Sequence, residues 1–428
     1  MTNASVTLND FKGILNYAID NNRKLQEENP DFVPIALNLV GEKGIGKTSI
    51  LRQIAKDRGM KFVKLNVAQL DEVGDIVGFP VKEFEAQLFS AKKNPDGTVS
   101  YTPSKTVWGT EQTFNTYKGK YTYTGKTRMG YAKPAWVPDE KDGENGVLLD
   151  LDDYSRATPV FLNAMMDLIL EQKYVSWSLP KNTQICLTTN PDNGSYNVSA
   201  SDSAQEGRYL SFFIDFDLED WGQWAEKNNL DSRCISFALS YGEELFKMDD
   251  EGNSIADPRS FVMFSRMISG IKDWDKEDSQ MLIRNIAKGC FKDKDNKFGQ
   301  MFTTFIRNKM HLLIQPKQML LGAWDTVRPK LEEALYDQDG TYRPDIASLL
   351  ERRFAYHVNA WLDSDGETPI SKVKERVLDF IKYDKTGNSH PRLFTEDMFY
   401  HMITTITSDH KAQTNKLLYE PEITKKIN

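Results

Sequence analysis

At 428 residues the chain exceeds one ordinary domain, and two or three units of about 100 to 200 residues each are expected. Hydrophobic residues make up 39% and charged residues 27%, a globular composition that excludes a disordered or membrane-embedded chain. The net charge of −8, from 54 Lys and Arg against 62 Asp and Glu, makes nucleic acid a poor default partner without excluding a local basic patch.

No run approaches the roughly 18 apolar residues of a membrane span, and Met1-Thr2-Asn3-Ala4-Ser5 carries no basic-then-apolar leader. A cytoplasmic protein with no membrane partner is therefore expected. Cys186, Cys234 and Cys290 lack CxxC spacing, which supports neither a zinc site nor a disulfide framework.

In chain order, Thr7 and Asp10 read as the start of a helix whose apolar face carries Phe11, Ile14, Leu15, Ala18 and Ile19. An apolar run at 35–40 follows as the first strand, then the glycine-rich turn Gly41-Glu42-Lys43-Gly44-Ile45-Gly46-Lys47-Thr48, then a helix over 48–58. A second strand is expected at 62–66. Residues 79–144 are rich in Tyr, Thr, Lys and Gly and read as an inserted arm, with a hairpin-like piece at Tyr121-Thr122-Tyr123-Thr124 ahead of Gly125. Strands at 147–151, 184–189 and 210–216, with a helix over 160–171, complete five short apolar strands alternating with helices. That order predicts an α/β fold: a parallel sheet covered on both faces, joined by right-handed crossovers.

From about residue 217 helical periodicity takes over, at 221–227, 234–246 and 258–271, and again at 346–361 and 371–382. We expect a sheet domain over 1–216, a helical lid over 217–330 and a helical extension over 331–428.

The turn at Gly41 to Thr48 is a complete GxxxxGKT between strand and helix, the context a phosphate-binding loop needs. Backbone N–H groups from Gly41 through Ser49 would cradle the phosphates of a nucleoside triphosphate at the positive end of the helix. Lys47 would reach the β- and γ-phosphates, and Thr48 would offer a hydroxyl to Mg²⁺. Downstream, Leu148-Leu149-Asp150-Leu151-Asp152-Asp153 ends a strand in two adjacent carboxylates. Asp152 would complete the metal shell and Asp153 would orient and deprotonate the attacking water.

The stretch Asp152-Asp153-Tyr154-Ser155-Arg156-Ala157-Thr158-Pro159 resembles the segment after the acidic strand in MoxR-type AAA+ ATPases. Three further pieces follow in that family's order: Thr188-Thr189-Asn190-Pro191, Glu206-Gly207-Arg208-Tyr209 and Ala256-Asp257-Pro258-Arg259-Ser260. Asp75-Ile76-Val77-Gly78 is similar to a short segment after the family's second strand. The resemblance covers about residues 33–270 and implies a P-loop three-layer αβα domain with a helical lid, binding ATP and Mg²⁺. It gives Asn190 the positioning of water, Arg208 the finger into a neighbouring subunit, and Arg259 the lid contact with the γ-phosphate. Arg156 competes for the finger role, and Arg208 is preferred because it stands just before the fifth strand.

The resemblance further implies a homo-oligomeric ring, usually a hexamer, that remodels or matures a protein client or adaptor. In many such systems that partner resembles a von Willebrand factor A domain protein. One departure is Asp153, where the family carries a Glu, so slow hydrolysis or a nucleotide-gated scaffold stands as an alternative. A second alternative, a nucleic-acid motor or loader, rests on the interleaved basic and aromatic residues from Tyr117 to Arg128. The histidines, His311, His357, His390, His401 and His410, show no ligand spacing.

Overall fold

The structure, a computed structural model, describes residues 5–427 apart from 96, 144, 175, 192–206, 248–253, 292–294, 308–312, 338, 365–369, 384–391, 409–416 and 418–419. Two compact units are present, Met1–Asp215 and Phe216–Asn428. No helix among the described residues is long and apolar enough to cross a membrane.

The first unit opens with a two-residue strand, β1 (Ser5–Val6), and helix α1 (Leu8–Glu28). Thr7 and Asp10 form a reciprocal capping box: the Asp10 amide donates to Thr7 Oγ1 at 3.1 Å and the Thr7 amide to the Asp10 carboxylate at 3.2 Å. Then come β2 (Ala36–Gly41), α2 (Lys47–Asp57), β3 (Lys61–Asn66) and the short α3 (Gly74–Val77). The inserted arm holds β4 (Pro80–Lys93), β5 (Val99–Gly109), α4 (Glu111–Thr116) and β6 (Lys120–Tyr131). After it run β7 (Val147–Asp152), α5 (Pro159–Glu171), β8 (Thr183–Thr189) and β9 (Tyr209–Ile214).

The core sheet has six strands in the order β1-β9-β2-β8-β7-β3, all parallel. The strand at Ser5–Val6 adds one to the five expected; two residues are too few to carry a readable period. Along β7 and β8, side chains alternate between faces. Leu149, Leu151, Ile185 and Leu187 are fully buried on one face against Leu162, Met165, Leu168 and Ile169 of α5, each stabilising the fold by about 2 kcal/mol. On the other face lie Lys64, Asp150, Asp152 and Thr188, beneath the start of α2. This is the three-layer αβα arrangement, and its polar face is where the phosphate loop opens.

The arm is a separate three-stranded antiparallel sheet, ordered β5-β4-β6. Here one expectation is corrected. Gly125 lies inside β6, at φ +89°, where the pairing with β4 shifts register between Phe84 and Ala86. It makes a bulge within a strand and not the turn of a hairpin. Phe114 of α4 packs on Tyr121 and Tyr123 at ring separations of 5.2 and 5.4 Å and gives this small sheet a core of its own.

The Asp75-Ile76-Val77-Gly78 segment anchors the arm. Trp136 Nε1 donates to the Asp75 carbonyl and Trp177 Nε1 to the Val77 carbonyl, both at 2.8 Å. Gly78 has φ +97°, and a Cβ there would stand 1.9 Å from the Ala132 carbonyl oxygen, so only glycine fits where the chain enters the arm beside where it leaves.

The second unit is helical: α6 (Leu218–Lys227), α7 (Ser232–Phe246), α8 (Pro258–Ile268), α9 (Glu277–Cys290), α10 (Lys297–Arg307), α11 (Pro316–Leu321), α12 (Trp324–Leu335), α13 (Pro344–Ser364), α14 (Ile370–Tyr383), α15 (Glu396–Ser408) and α16 (Pro421–Ile427). One core is aromatic, centred on Phe237, Phe261, Phe264, Phe298 and Phe302. A second, around Leu331, Leu350, Phe354, Val377, Phe380 and Ile403, holds the last six helices, α11 to α16. The fully buried Arg353 of α13 ties helices together, pairing with Glu226 of α6 at 3.2 Å and donating to Ser236 of α7 at 2.7 Å.

Candidate functional site

β2 delivers the chain to Gly41, and the loop turns on two glycines in left-handed conformations, Gly44 at φ +82° and Gly46 at φ +110°. Both angles are ones that only glycine adopts without cost. Gly41 has no room for a side chain either, since a Cβ would lie 2.9 Å from the Ile214 carbonyl oxygen and 2.7 Å from Ile45 Cδ1. Buried Ile45 pins the loop from below, Lys43 and Ser49 are exposed, and Glu42 presents its carbonyl inward. Gly46 is the N-cap of α2 and makes no side-chain cap bond, so the positive end of the helix faces the loop without a capping side chain.

Lys47, the first residue of α2, folds its ammonium back over the loop, donating to the carbonyls of Gly41 at 2.6 Å and Glu42 at 2.9 Å. It also donates to Asn190 Oδ1 at 3.4 Å. Asn190, just past β8, is buried, and its amide donates to Ser155 Oγ at 3.3 Å. The sheet thus brings the end of β8 beside the loop that ends β2, which β8 pairs with in register.

Asp152 is the last residue of β7. Its Oδ1 accepts from Thr48 Oγ1 at 3.0 Å and from Thr188 Oγ1 at 2.8 Å, and its Oδ2 pairs with Lys64 Nζ at 2.6 Å. Partial burial pulls this carboxyl upward, but the hydrogen bonds from Lys64, Thr188 and Thr48 and the Lys64 charge outweigh it and hold the pKa below the usual carboxylate range. A hydroxyl and an ionised carboxylate facing each other from two elements are the hard oxygen donors that Mg²⁺ takes, so these residues fit that ion.

Lys64 and Thr188 were not assigned roles from sequence, although a lysine inside the apolar run Phe62-Val63-Lys64-Leu65 is a signal in itself. Asp150 is a third such residue, fully buried two positions before Asp152 and accepting from Thr188 at 3.5 Å. Burial, reinforced by the Asp152 charge, raises its carboxyl to about 7.

Asp153 follows at φ +54°, ψ +33°, a left-handed conformation that costs a non-glycine residue roughly 1 kcal/mol. This bend turns its side chain out of the strand's alternation and opens the turn Tyr154–Arg156. Arg156 lies 3.7 Å from the Asp153 carboxylate and is half exposed.

Residues 37–99 match the model of the ATPase family associated with various cellular activities (AAA). The matched stretch holds β2, the phosphate loop, α2 and β3, and there the chain is similar to P-loop NTPases of AAA type. The ATP-dependent protease ATPase subunit HslU of Campylobacter jejuni, in several strains, is 33% identical over 87 residues, covering 19% of this chain and 20% of HslU. The chain therefore spans a small part of the curated relatives it matches. Two Thermotoga maritima RuvB mutants align at 10% identity. One covers 98% of this chain and 90% of its own with a TM-score of 0.28, the other 78% and 91% with a TM-score of 0.32. Likeness that loose places no residue.

The family match ends within the arm, so Asp152, Asp153 and Asn190 stand on geometry. Arg208 sits elsewhere. It immediately precedes β9, whose first residue pairs with Ala36 while its last pairs with Gly41. Five residues of strand, roughly 16 Å, separate the Arg208 end of the sheet from the loop end, and its guanidinium lies against the Met166 sulfur. Glu206 of the same motif lies outside the described residues. Arg259 belongs to the second unit, on the first turn of α8: Asp257 caps the helix, accepting from the Ser260 amide at 3.0 Å, Pro258 takes the first position and Arg259 is exposed.

Proposed function

We propose that this chain is an ATP-hydrolysing AAA+ machine of MoxR type, working as a homo-oligomeric ring, a hexamer in the simplest case, that remodels or matures a protein partner. The reading rests on one observation: Lys47 and Thr48 of α2, Asp152 at the end of β7 and Asn190 just past β8 converge on one glycine-turned loop.

Lys47 leaves its loop carbonyls to meet the β- and γ-phosphates, and the α2 amides hold the phosphate oxygens. Thr48 and Asp152 would hold Mg²⁺, which when bound offsets the negative charge of the phosphates. Asp153 accepts the proton of the attacking water and Asn190 orients that water. Being one methylene shorter than a glutamate, Asp153 acts at longer reach, which favours modest turnover. Arg259 reads the γ-phosphate from the lid, coupling nucleotide state to lid position.

The strand-length gap between Arg208 and its own loop supports action in trans, and head-to-tail contacts of that kind close into rings. Cytoplasmic location and a von Willebrand factor A domain partner belong to the same reading. A pull-down tests it, using an Asp153→Asn variant loaded with ATP. Retention of a defined protein that ADP releases supports the client role, and retention of nucleic acid alone overturns it.

A further inference from the structure

The arm carries charge of the opposite sign to the chain. Residues 79–133 hold nine Lys or Arg against four Asp or Glu, in a protein of net charge −8. The structure divides that charge further. Alternation along β4 puts Glu83, Glu85, Gln87, Phe89, Ala91 and Lys93 on one face. In the half of that face nearest the arm's root each carboxylate is matched: Arg128 contacts Glu83 at 2.8 Å and Lys126 contacts Glu85 at 3.3 Å. In the half toward the tip, no carboxylate among the described residues contacts Lys93, Lys118 or Lys120, and all three are exposed.

Rings take the place of carboxylates there. Lys120 crosses the central strand, with its ammonium 6.0 Å from the Phe89 ring centre and 4.6 Å from that of Tyr101. Registers agree, since Phe89 faces Lys120 on β6 and Ala91 faces Tyr101 on β5. Tyr101 remains 46% exposed and Tyr117 40%, so flat ring surface stays open beside cations that no carboxylate among the described residues contacts.

We infer that the tip of this sheet, around Phe89, Lys93, Tyr101 and Lys120, is a docking surface for single-stranded DNA. Ammonium groups take the phosphates and the open Tyr101 ring stacks a base, a pairing of charge and flat surface that suits a splayed single strand. An acidic polypeptide would be drawn by the lysines but has no bases for the rings. Duplex DNA keeps its bases stacked inside and would leave the rings idle.

Fluorescence anisotropy of a labelled thymidine oligonucleotide, titrated with the full-length protein, tests this without calling on nucleotide turnover. Binding is expected at low salt, weakening as salt rises. Tyr101→Ala should weaken it by at least about fivefold. Lys93→Ala and Lys120→Ala should each flatten the logarithmic salt slope by about 0.7, while Lys126→Ala, at the root, changes neither quantity. All of these side chains are exposed or partly exposed, and circular dichroism checks that each variant is folded. The inference is overturned by absence of low-salt binding, by Tyr101→Ala binding as the parent does, or by polyglutamate or the matching RNA displacing the DNA at an equal or lower concentration.

Discussion

The Thr48 hydroxyl donates to the Asp152 carboxylate at 3.0 Å, joining the start of α2 to the end of β7 across 104 residues of sequence. If both serve one cation, their losses are not additive. Thr48→Ala and Asp152→Asn should each lower ATP turnover on the order of 100-fold, and the double variant should fall little below the worse single. A double-mutant cycle of turnover at saturating magnesium measures this; fully multiplicative losses would separate the two residues functionally.

Gly78 fixes the root of the arm. Gly78→Ala places a methyl group 1.9 Å from the Ala132 carbonyl at φ +97°, so the chain must move there. Thermal or denaturant unfolding should show a loss of about 2 to 4 kcal/mol. ATP affinity, measured below the melting transition, should stay within about twofold because the loop at Gly41–Thr48 is built from other elements.

His401 gives the second unit a pH dependence. The carboxylates of Glu219, 3.7 Å away, and Glu351, in hydrogen-bond contact at 3.0 Å, raise the imidazole to about 10, against partial burial. The charged groups around it are those two carboxylates and Arg352, which acts on both. A pKa raised on folding means stability that is complete below the ordinary histidine value and is lost as pH climbs toward 10. With the side chain a third exposed, solvent screening cuts the contribution to about 2 kcal/mol. Urea unfolding at pH 6 and pH 10 should therefore show that decline in the parent and a flatter profile in His401→Gln. Equal slopes in both proteins would assign the pH dependence to other groups.

Much of this was legible because it is local. A GxxxxGKT turn between an apolar run and a helix announces itself within eight residues, and the acidic end of β7 is equally compact. Lys64 and Thr188 were not, since what matters about them is a shared sheet face with Asp152, set by register between strands far apart in sequence. The arm's three strands were missed as a sheet because β5 and β6 are mostly Thr, Ser, Lys and Tyr, and the short apolar alternation of β4, Phe84, Ala86 and Leu88, gains a covered face only where Tyr121, Tyr123 and Phe114 meet it. Gly125 read as a turn because strand bulges and turns use the same positive φ.

Arg208 lies at the strand end remote from its own loop, so its variants should complement in mixtures. Arg208→Ala and Asp153→Asn proteins, each with little turnover alone, should recover part of it when mixed, since some interfaces then pair an intact loop with an intact finger. Mixing curves with no recovery, or full activity of Arg208→Ala alone, would remove the residue from the site.

The most direct measurement is steady-state phosphate release from ATP and magnesium by the purified protein and by Lys47→Ala and Asp153→Asn. Turnover that is present in the parent and falls at least about 100-fold in both variants is the expected result. A parent without turnover, or variants that keep it, would contradict hydrolysis at this loop.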